Sequence, residues 1–470
     1  VTLIKSISGI RGTIGGTPGE GLTPIDIVKY TAAFGALIKG DAAKCTIIVG
    51  RDARISGDMA NRLVTGTLIG MGINVIDLGL STTPTVEMAV AHENADGGII
   101  LTASHNPKQW NALKLLNNKG EFISDEIGKK VLKMAESNEL QFATVDKLGT
   151  VKQDQTWIKK HIDLILAMDL VDVEAIRKRK FKVVVDAVNS TGGIAVPQLL
   201  RALGIEDIIE IYCTPDGKFP HNPEPLPENL TEISSQVKRH NAHFGIVVDP
   251  DVDRLALVCE DGGMFGEEYT LVAVADYMMK NTSDEKLEKL GLKRASVSNL
   301  SSTRALRDVT ESNKGTYASA AVGEVNVVAK MKEIGALIGG EGNGGVIVPE
   351  LHYGRDALAG IALFATHLAK SGKMCSILRS SYPDYYIAKK KIELTPDINM
   401  DVLMDRIKDK YKKQPINTID GVKIEFDNEW VHLRRSNTEP IIRIYAESQS
   451  ETTADNLAEK IIQDIRIFIK

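Results

Sequence analysis

Three aspartates at alternate positions, in Asp249-Pro250-Asp251-Val252-Asp253-Arg254, can converge on one hard cation; without one, their charges would repel strongly. The run begins like an EF-hand calcium loop, with Glu260 at the twelfth position. Arg254, however, takes the sixth place, where that loop needs Gly for its turn. The flanks, Gly245–Val248 and Leu255–Val258, read as strands and not as helices. Three carboxylates joined by a phosphate oxygen favour Mg2+ over Ca2+. A second run, Thr102-Ala103-Ser104-His105-Asn106-Pro107, directly follows the apolar Gly97–Leu101. Ser104, set among small residues beside His105, is placed to act as a nucleophile or to carry a phosphoryl group, and Pro107 stops the strand. Gly339-Gly340-Glu341-Gly342-Asn343-Gly344-Gly345 presents one carboxylate and one amide on a mobile backbone, which suits sugar hydroxyl or amino groups. No Gly-Lys-Ser/Thr follows, so it is not a Walker loop. Arg434-Arg435-Ser436-Asn437-Thr438-Glu439-Pro440 combines guanidinium, hydroxyls and turn N–H groups, the makings of a phosphate cradle. Ser8-Gly9-Ile10-Arg11-Gly12 adds a glycine-flanked arginine. Each run taken alone also fits an ordinary polar or glycine-rich turn.

The elements around these runs alternate. Thr46–Gly50 reads as a buried strand, Ser56–Gly72 as a helix, Ile73–Leu78 and Gly97–Leu101 as strands; such spacing implies βαβ units and a parallel sheet. Thr23-Pro24-Ile25-Asp26 opens an earlier helix with an N-cap, a first-turn proline and a carboxylate at the positive end of the dipole. The order strand, polar turn, helix, Gly, strand recurs from Val183 to Tyr212, and more weakly from Ala295 through Glu324–Lys332 to Gly339. Three copies point to three related α/β domains, although independent βαβ units share the same order. From Tyr385 the pattern changes to strands Ile392–Leu394, Gly421–Phe426, Trp430–Arg434 and Ile441–Ala446, with helices at Met400–Tyr411 and from Thr453. This is an α+β module with an antiparallel sheet, and Lys389-Lys390-Lys391 read as a solvated strand edge.

Composition sets the outer bounds. A chain of 470 residues allows roughly three domains at about 150 residues each. Lys+Arg total 57 and Asp+Glu 62, a net charge of -5, which argues against a nucleic-acid partner but not against a local basic pocket. No apolar run reaches the roughly 18–20 residues of a membrane span, and Ala357–Ala369 reads as a buried helix. The start, Val1-Thr2-Leu3-Ile4-Lys5-Ser6, lacks a signal-peptide layout, and Val1 in place of Met suggests a processed terminus. Cys45, Cys213, Cys259 and Cys375 form no CxxC and are expected as free buried thiols in a reducing, cytoplasmic setting.

The four runs, in their order and rough spacing, closely resemble the α-D-phosphohexomutase superfamily, and the resemblance spans essentially the whole chain. It implies three related mixed α/β sandwich domains plus a C-terminal α+β domain around a central cleft, here over 1–155, 156–263, 264–378 and 379–470. It implies transfer of phosphate between O6 and O1 of a hexose through a bisphosphosugar, with hexose 1,6-bisphosphate as activator. On matching positions Ser104 would be the phosphoserine, and Asp249, Asp251 and Asp253 would hold Mg2+ with it. Arg254 and Arg11 would assist the transferring phosphoryl group. Lys114 and His105 would be the acid/base candidates, Lys114 as a base only if its pKa is lowered. Glu341 and Asn343 would bind the sugar, and Arg434, Ser436, Asn437 and Thr438 the phosphate that does not react. Arg11, Lys114, Arg254 and Arg434 would form a cationic lining in an otherwise acidic protein. The metal loop keeps its aspartates but carries Pro250 and Val252 where many members have glycine, and Asn343 stands where many bacterial members have serine. An amide there could face a 2-amino or 2-hydroxyl group. Glucosamine phosphate is therefore the expected substrate, with mannose and glucose phosphates next. A phosphosugar is the expected partner of a monomer or homodimer. The rivals are a phosphatase built on the same serine and metal, and a non-catalytic phosphosugar sensor.

Overall fold

Runs such as Thr46–Arg51, Lys182–Asp186 and Phe244–Val248 are apolar at nearly every position, so both faces must be covered, and helices supply the cover. The structure is a computed structural model that describes residues 1–6, 9–137, 140–394, 398–435 and 441–468. These residues form four sheets. The first has the order Ile4–Ser6, Gly9–Thr13, Trp110–Leu116, Gly97–Leu101, Thr46–Arg51, Asn74–Leu80, Val151–Gln153. The second is Leu255–Cys259, Phe244–Val248, Lys182–Asp186, Asp207–Ile211. The third is Gly345–Ile347, Ala336–Glu341, Lys293–Asn299, Thr316–Ala320. The fourth, antiparallel throughout, is Tyr386–Glu393, Ile441–Ser448, Trp430–Arg435, Val422–Glu425, Ile416–Asn417.

The alternating pattern predicts parallel sheets, but the first three are mixed. In each, a central strand pairs in parallel with the next two strands of the chain, and the later of these turns back into an antiparallel partner. The shared order supports the threefold relation read from the sequence. The antiparallel strand leaves no helix-spaced signal because a hairpin return needs no crossover helix. These returns, Leu101 to Trp110, Val248 to Leu255 and Glu341 to Gly345, carry the serine, aspartate and glycine runs. Arg434 and Arg435 of the phosphate-cradle run end the strand Trp430–Arg435 of the fourth sheet, and the rest of that run lies outside the described residues. One structural position thus supplies three of the four motifs.

Apolar side chains from Ile158 to Tyr382 form one continuous core through the second and third sheets, with separate cores under the first and fourth. The helix Ala357–Ser371 lies inside that core, as its composition predicts. Asp356 caps it through N–H bonds from Leu358 and Ala359 at 2.9 and 3.0 Å, and its other oxygen lies 2.8 Å from His161 and 3.2 Å from His352. Thr23 caps the helix Pro24–Lys39 as expected, and with Asp26 it forms a capping box. No helix among the described residues is long and apolar enough to cross a membrane.

Two smaller expectations change. Lys389–Lys391 lie on an edge strand, but Lys389 reaches Glu267 at 2.7 Å beside the cleft and Lys390 meets Asp455 and Glu459 at 3.1 Å, leaving Lys391 the most exposed. All four thiols are free, and Cys213 is only half-buried.

Candidate active site

The strand Gly97–Leu101 ends in a loop whose shape is held by one guanidinium. Arg54, almost fully buried, spends all five N–H donors: on Asp52 at 3.0 Å and on the carbonyls of Ser104, Asn106, Pro107 and Trp110 at 2.5, 2.7, 2.8 and 2.9 Å. Asp52 also accepts the Thr102 hydroxyl at 2.7 Å, and Thr102 in turn accepts the Ser104 N–H at 2.9 Å. Ser104 is thereby kept in the left-handed region, φ +48°, which an L-residue adopts only at a cost. Its hydroxyl donates to Asp249 at 2.9 Å and lies 3.3 Å from His105 Nδ1. Burial, with Arg254 and Arg355 nearby, lowers the His105 pKa to about 3, so the imidazole is neutral at neutral pH.

Asp249, Asp251 and Asp253 are fully buried, with a carboxylate oxygen of each within 4.8 Å of the others. Asp249 accepts the N–H groups of Asp253 and Arg254 at 3.2 and 3.1 Å. Asp251 accepts the Thr83 hydroxyl at 2.6 Å and Lys114 Nζ at 2.8 Å; Asp253 accepts Arg355 at 2.6 Å. One oxygen of Asp251 and one of Asp253 have no partner although buried. Burial, reinforced by Asp253 and Asp251, pushes the Asp249 pKa well above the carboxylate range. For Asp251 burial works in the same direction, but Lys114 and Thr83 overcome it and hold the group ionised. Orphaned hard oxygens on a crowded acidic loop fit a small divalent cation such as Mg2+. Val252 stands at φ +64°, so the loop keeps the left-handed turn for which glycine is the usual residue.

Lys114 departs from what a catalytic base requires. It pairs with the aspartates, 2.8 Å from Asp251 and 3.8 Å from Asp253. Burial opposes its charge, yet the two carboxylates outweigh burial and raise its pKa above the ordinary lysine value. With no cation beside the aspartates, this pairing favours the charged form of Lys114.

The cleft measures about 700 Å³ and is lined by Arg11, His105, Arg254, Glu341, Asn343 and Arg434 together with Glu268, Lys389, Arg443 and Tyr445. Glu341 accepts Asn299 Nδ2 at 2.9 Å, the Gly323 N–H at 3.1 Å and Arg355 at 2.9 Å. Burial would raise its pKa, but Arg355 and Asn299 hold it below the usual value. Arg254 lies 3.5 Å from Glu224, and Arg434 lies 2.9 Å from Asp420. Ser436, Asn437 and Thr438 fall outside the described residues. The structure thus brings together Ser104, His105, Lys114, the three aspartates, Arg254, Glu341 and Asn343, and sets Arg11 and Arg434 on the same cleft. The sequence reading misses Arg54, Arg355, Thr83, Glu268, Lys389 and Arg443. Only Asp52-Ala53-Arg54 carries a local signal, a carboxylate and an arginine just beyond a buried strand.

Four family models match in succession, described as phosphoglucomutase/phosphomannomutase alpha/beta/alpha domains I (residues 3–142), II (159–263) and III (267–385) and the C-terminal domain (391–463). A phosphoglucomutase/phosphomannomutase of Thermococcus kodakarensis is 36% identical over 452 residues, covering 95% of this chain and 96% of that protein. A probable phosphoglucosamine mutase of Methanopyrus kandleri is 32% identical over 463 residues, covering 98% and 97%. The solved structure of a phosphoglucomutase/phosphomannomutase family protein from Burkholderia thailandensis superposes with a TM-score of 0.83 at 25% identity, covering 99% of this chain and 98% of that one.

Proposed function

The chain belongs to the phosphoglucomutase/phosphomannomutase family and is a phosphohexomutase, and from that premise we propose that it interconverts glucosamine 6-phosphate and glucosamine 1-phosphate through phospho-Ser104. The observation that carries the reading is the Ser104 hydroxyl at 2.9 Å from Asp249, which joins the serine loop of one sheet to the acidic loop of the next. The amino sugar is preferred because Asn343 lines the cleft beside Glu341 and because relatives are named phosphoglucosamine mutase. Mannose and glucose phosphates are the next candidates, in keeping with the name of the Thermococcus kodakarensis relative.

Phosphoryl transfer asks a protein for positioning and charge neutralisation more than for covalent chemistry. Mg2+, held by Asp249, Asp251, Asp253 and the serine phosphate, would supply part of that neutralisation. Arg54 presents the serine, and Arg11 and Arg254 spread the charge of the moving group. The P–O bond to Ser104 Oγ breaks as a bond forms to the sugar hydroxyl oxygen. Lys114 and His105 are the candidates for taking up the hydroxyl proton and returning it to the leaving oxygen. Arg434, with Ser436, Asn437 and Thr438, holds the far phosphate. The bisphosphosugar then turns over within the cleft and returns its other phosphate to Ser104, with free hexose 1,6-bisphosphate as activator. A cytoplasmic monomer or homodimer goes with this reading.

The test is turnover. Glucosamine, mannose and glucose 6-phosphates are each incubated with Mg2+ and catalytic hexose 1,6-bisphosphate, and the 1-phosphate is followed by phosphorus NMR. Glucosamine 6-phosphate is expected to show the highest kcat/KM, and Ser104→Ala to abolish conversion. No turnover of any hexose, or undiminished turnover in Ser104→Ala, overturns the mechanism; faster turnover of mannose or glucose overturns only the choice of sugar.

A further inference from the structure

The metal loop and the sugar loop belong to different sheets, yet one buried side chain grips both. Arg355 Nη2 donates to Asp253 at 2.6 Å, Nη1 to Glu341 at 2.9 Å and Nε to Glu324 at 3.0 Å, and its own N–H reaches Glu324 at 3.1 Å. Its guanidinium is 9% exposed. The stem passes so close to Gly345 that a Cβ there would lie 2.3 Å from Arg355 Cδ, so a glycine is needed for the arginine to reach its place. The two carboxylates it joins both have work to do. Asp253 keeps its other oxygen buried without a hydrogen bond, 4.0 Å from Arg254 Nε. Glu341 has its second oxygen fixed by Asn299 and Gly323, and Asn343 Nδ2 lies 3.5 Å from the oxygen that Arg355 holds.

We propose that Arg355 is a positioning residue that couples the cation site to the sugar site, so that a divalent cation and a hexose phosphate each raise the affinity for the other. A guanidinium is a rigid planar fork. Locking the Asp253 carboxylate onto a cation fixes the plane of that fork, and a fixed fork holds Glu341 in one orientation before the sugar arrives. The second ligand then meets a site whose ordering cost has already been met. Linkage requires the same factor in the other direction. This inference rests on the mutase reading of the cleft.

The experiment uses the unphosphorylated full chain and Mn2+ as the metal probe, with binding followed by electron paramagnetic resonance in the absence and presence of saturating glucosamine 6-phosphate. The wild type is expected to bind Mn2+ about fivefold or more tightly with the sugar phosphate present, and to bind the sugar phosphate tighter by the same factor with Mn2+. In Arg355→Lys most of that factor is lost, whatever the change in each ligand's separate affinity; a purely structural arginine would weaken both ligands and leave the factor in place. Direct attraction between cation and phosphate survives the substitution, so the difference between the two proteins isolates the share carried by the guanidinium. If Arg355→Lys does not fold, Glu324→Gln, which loosens the guanidinium from outside both loops, must lower the factor. An unchanged factor in the variant, or no coupling in the wild type, overturns the inference alone. Failure of glucosamine, mannose and glucose 6-phosphates to bind at all overturns it together with the mutase reading.

Discussion

Replacing Arg54 with lysine keeps the buried charge and removes the fork. Four carbonyls of the serine loop and the Asp52 carboxylate now accept its five donors; a lysine has three. At least two of these acceptors lose their partner, at about 1–3 kcal/mol for each buried group. The loss, about 2–6 kcal/mol, exceeds the 1–2 kcal/mol that a left-handed L-residue costs, so the loop has no further reason to keep Ser104 at φ +48°. A displacement of about 1 Å at the reacting oxygen lowers the rate of transfer about 100-fold. Arg434, which would hold the far phosphate, lies on another sheet and is untouched. The rate at which phospho-Ser104 gives its phosphate to glucosamine 6-phosphate, followed by rapid quench and intact mass, should fall about 100-fold, while hexose 1-phosphate affinity by calorimetry stays within about twofold. Circular dichroism and a thermal melt show whether the chain is folded. A folded Arg54→Lys that transfers at nearly the wild-type rate, or whose affinity falls as steeply as its rate, refutes the reasoning.

Lys114→Met removes the cation paired with Asp251 at 2.8 Å, a change that costs about 3–5 kcal/mol when a buried pair is broken. Tm should therefore fall much further in chelator than in millimolar Mg2+, and equal losses in both would show that Lys114 does not neutralise the metal loop. Val252→Gly relieves about 1–2 kcal/mol of left-handed strain but gives up about 1.5–3 kcal/mol of side-chain burial and adds unfolded-state entropy. Urea unfolding should show a net loss of about 1 kcal/mol, and a more stable variant would mean that strain outweighs burial. Burial holds the His432 pKa down to about 4, its Nε2–H donating to the Asp420 carbonyl at 2.6 Å and its Nδ1 accepting from Ser301 at 2.9 Å. The unfolded chain binds this proton from about pH 6.5 downward and the folded chain only near 4, so stability falls as pH drops through that window. Wild-type urea midpoints should decline more steeply there than those of His432→Gln; parallel curves would remove His432 from the acid response.

The chemistry-bearing groups were legible because they are local. Ser104 in its six-residue run, three aspartates at alternate positions, and Glu341 with Asn343 among glycines each lie within one loop, where spacing in the chain is close to spacing in space. Helices and parallel strands were legible for the same reason, their periodicity being a property of neighbours. The antiparallel returns were not, and with them went the recognition that the serine, aspartate and glycine runs sit on equivalent returns.

What the tertiary structure decided is which groups meet. Arg355 and Asp253 are 102 residues apart, and Arg54 and Ser104 are 50; nothing in their local runs pairs them. Lys114 is the clearest case. Its position alone allows a base with a lowered pKa or a cation with a raised one. The choice is made by Asp251, 137 residues away, and Asp253, whose carboxylates together outweigh the burial that opposes the charge. Residue types in sequence determine which charges and nucleophiles are available. Their distances and burial, which set protonation and strain, exist only once the sheets have brought the loops together.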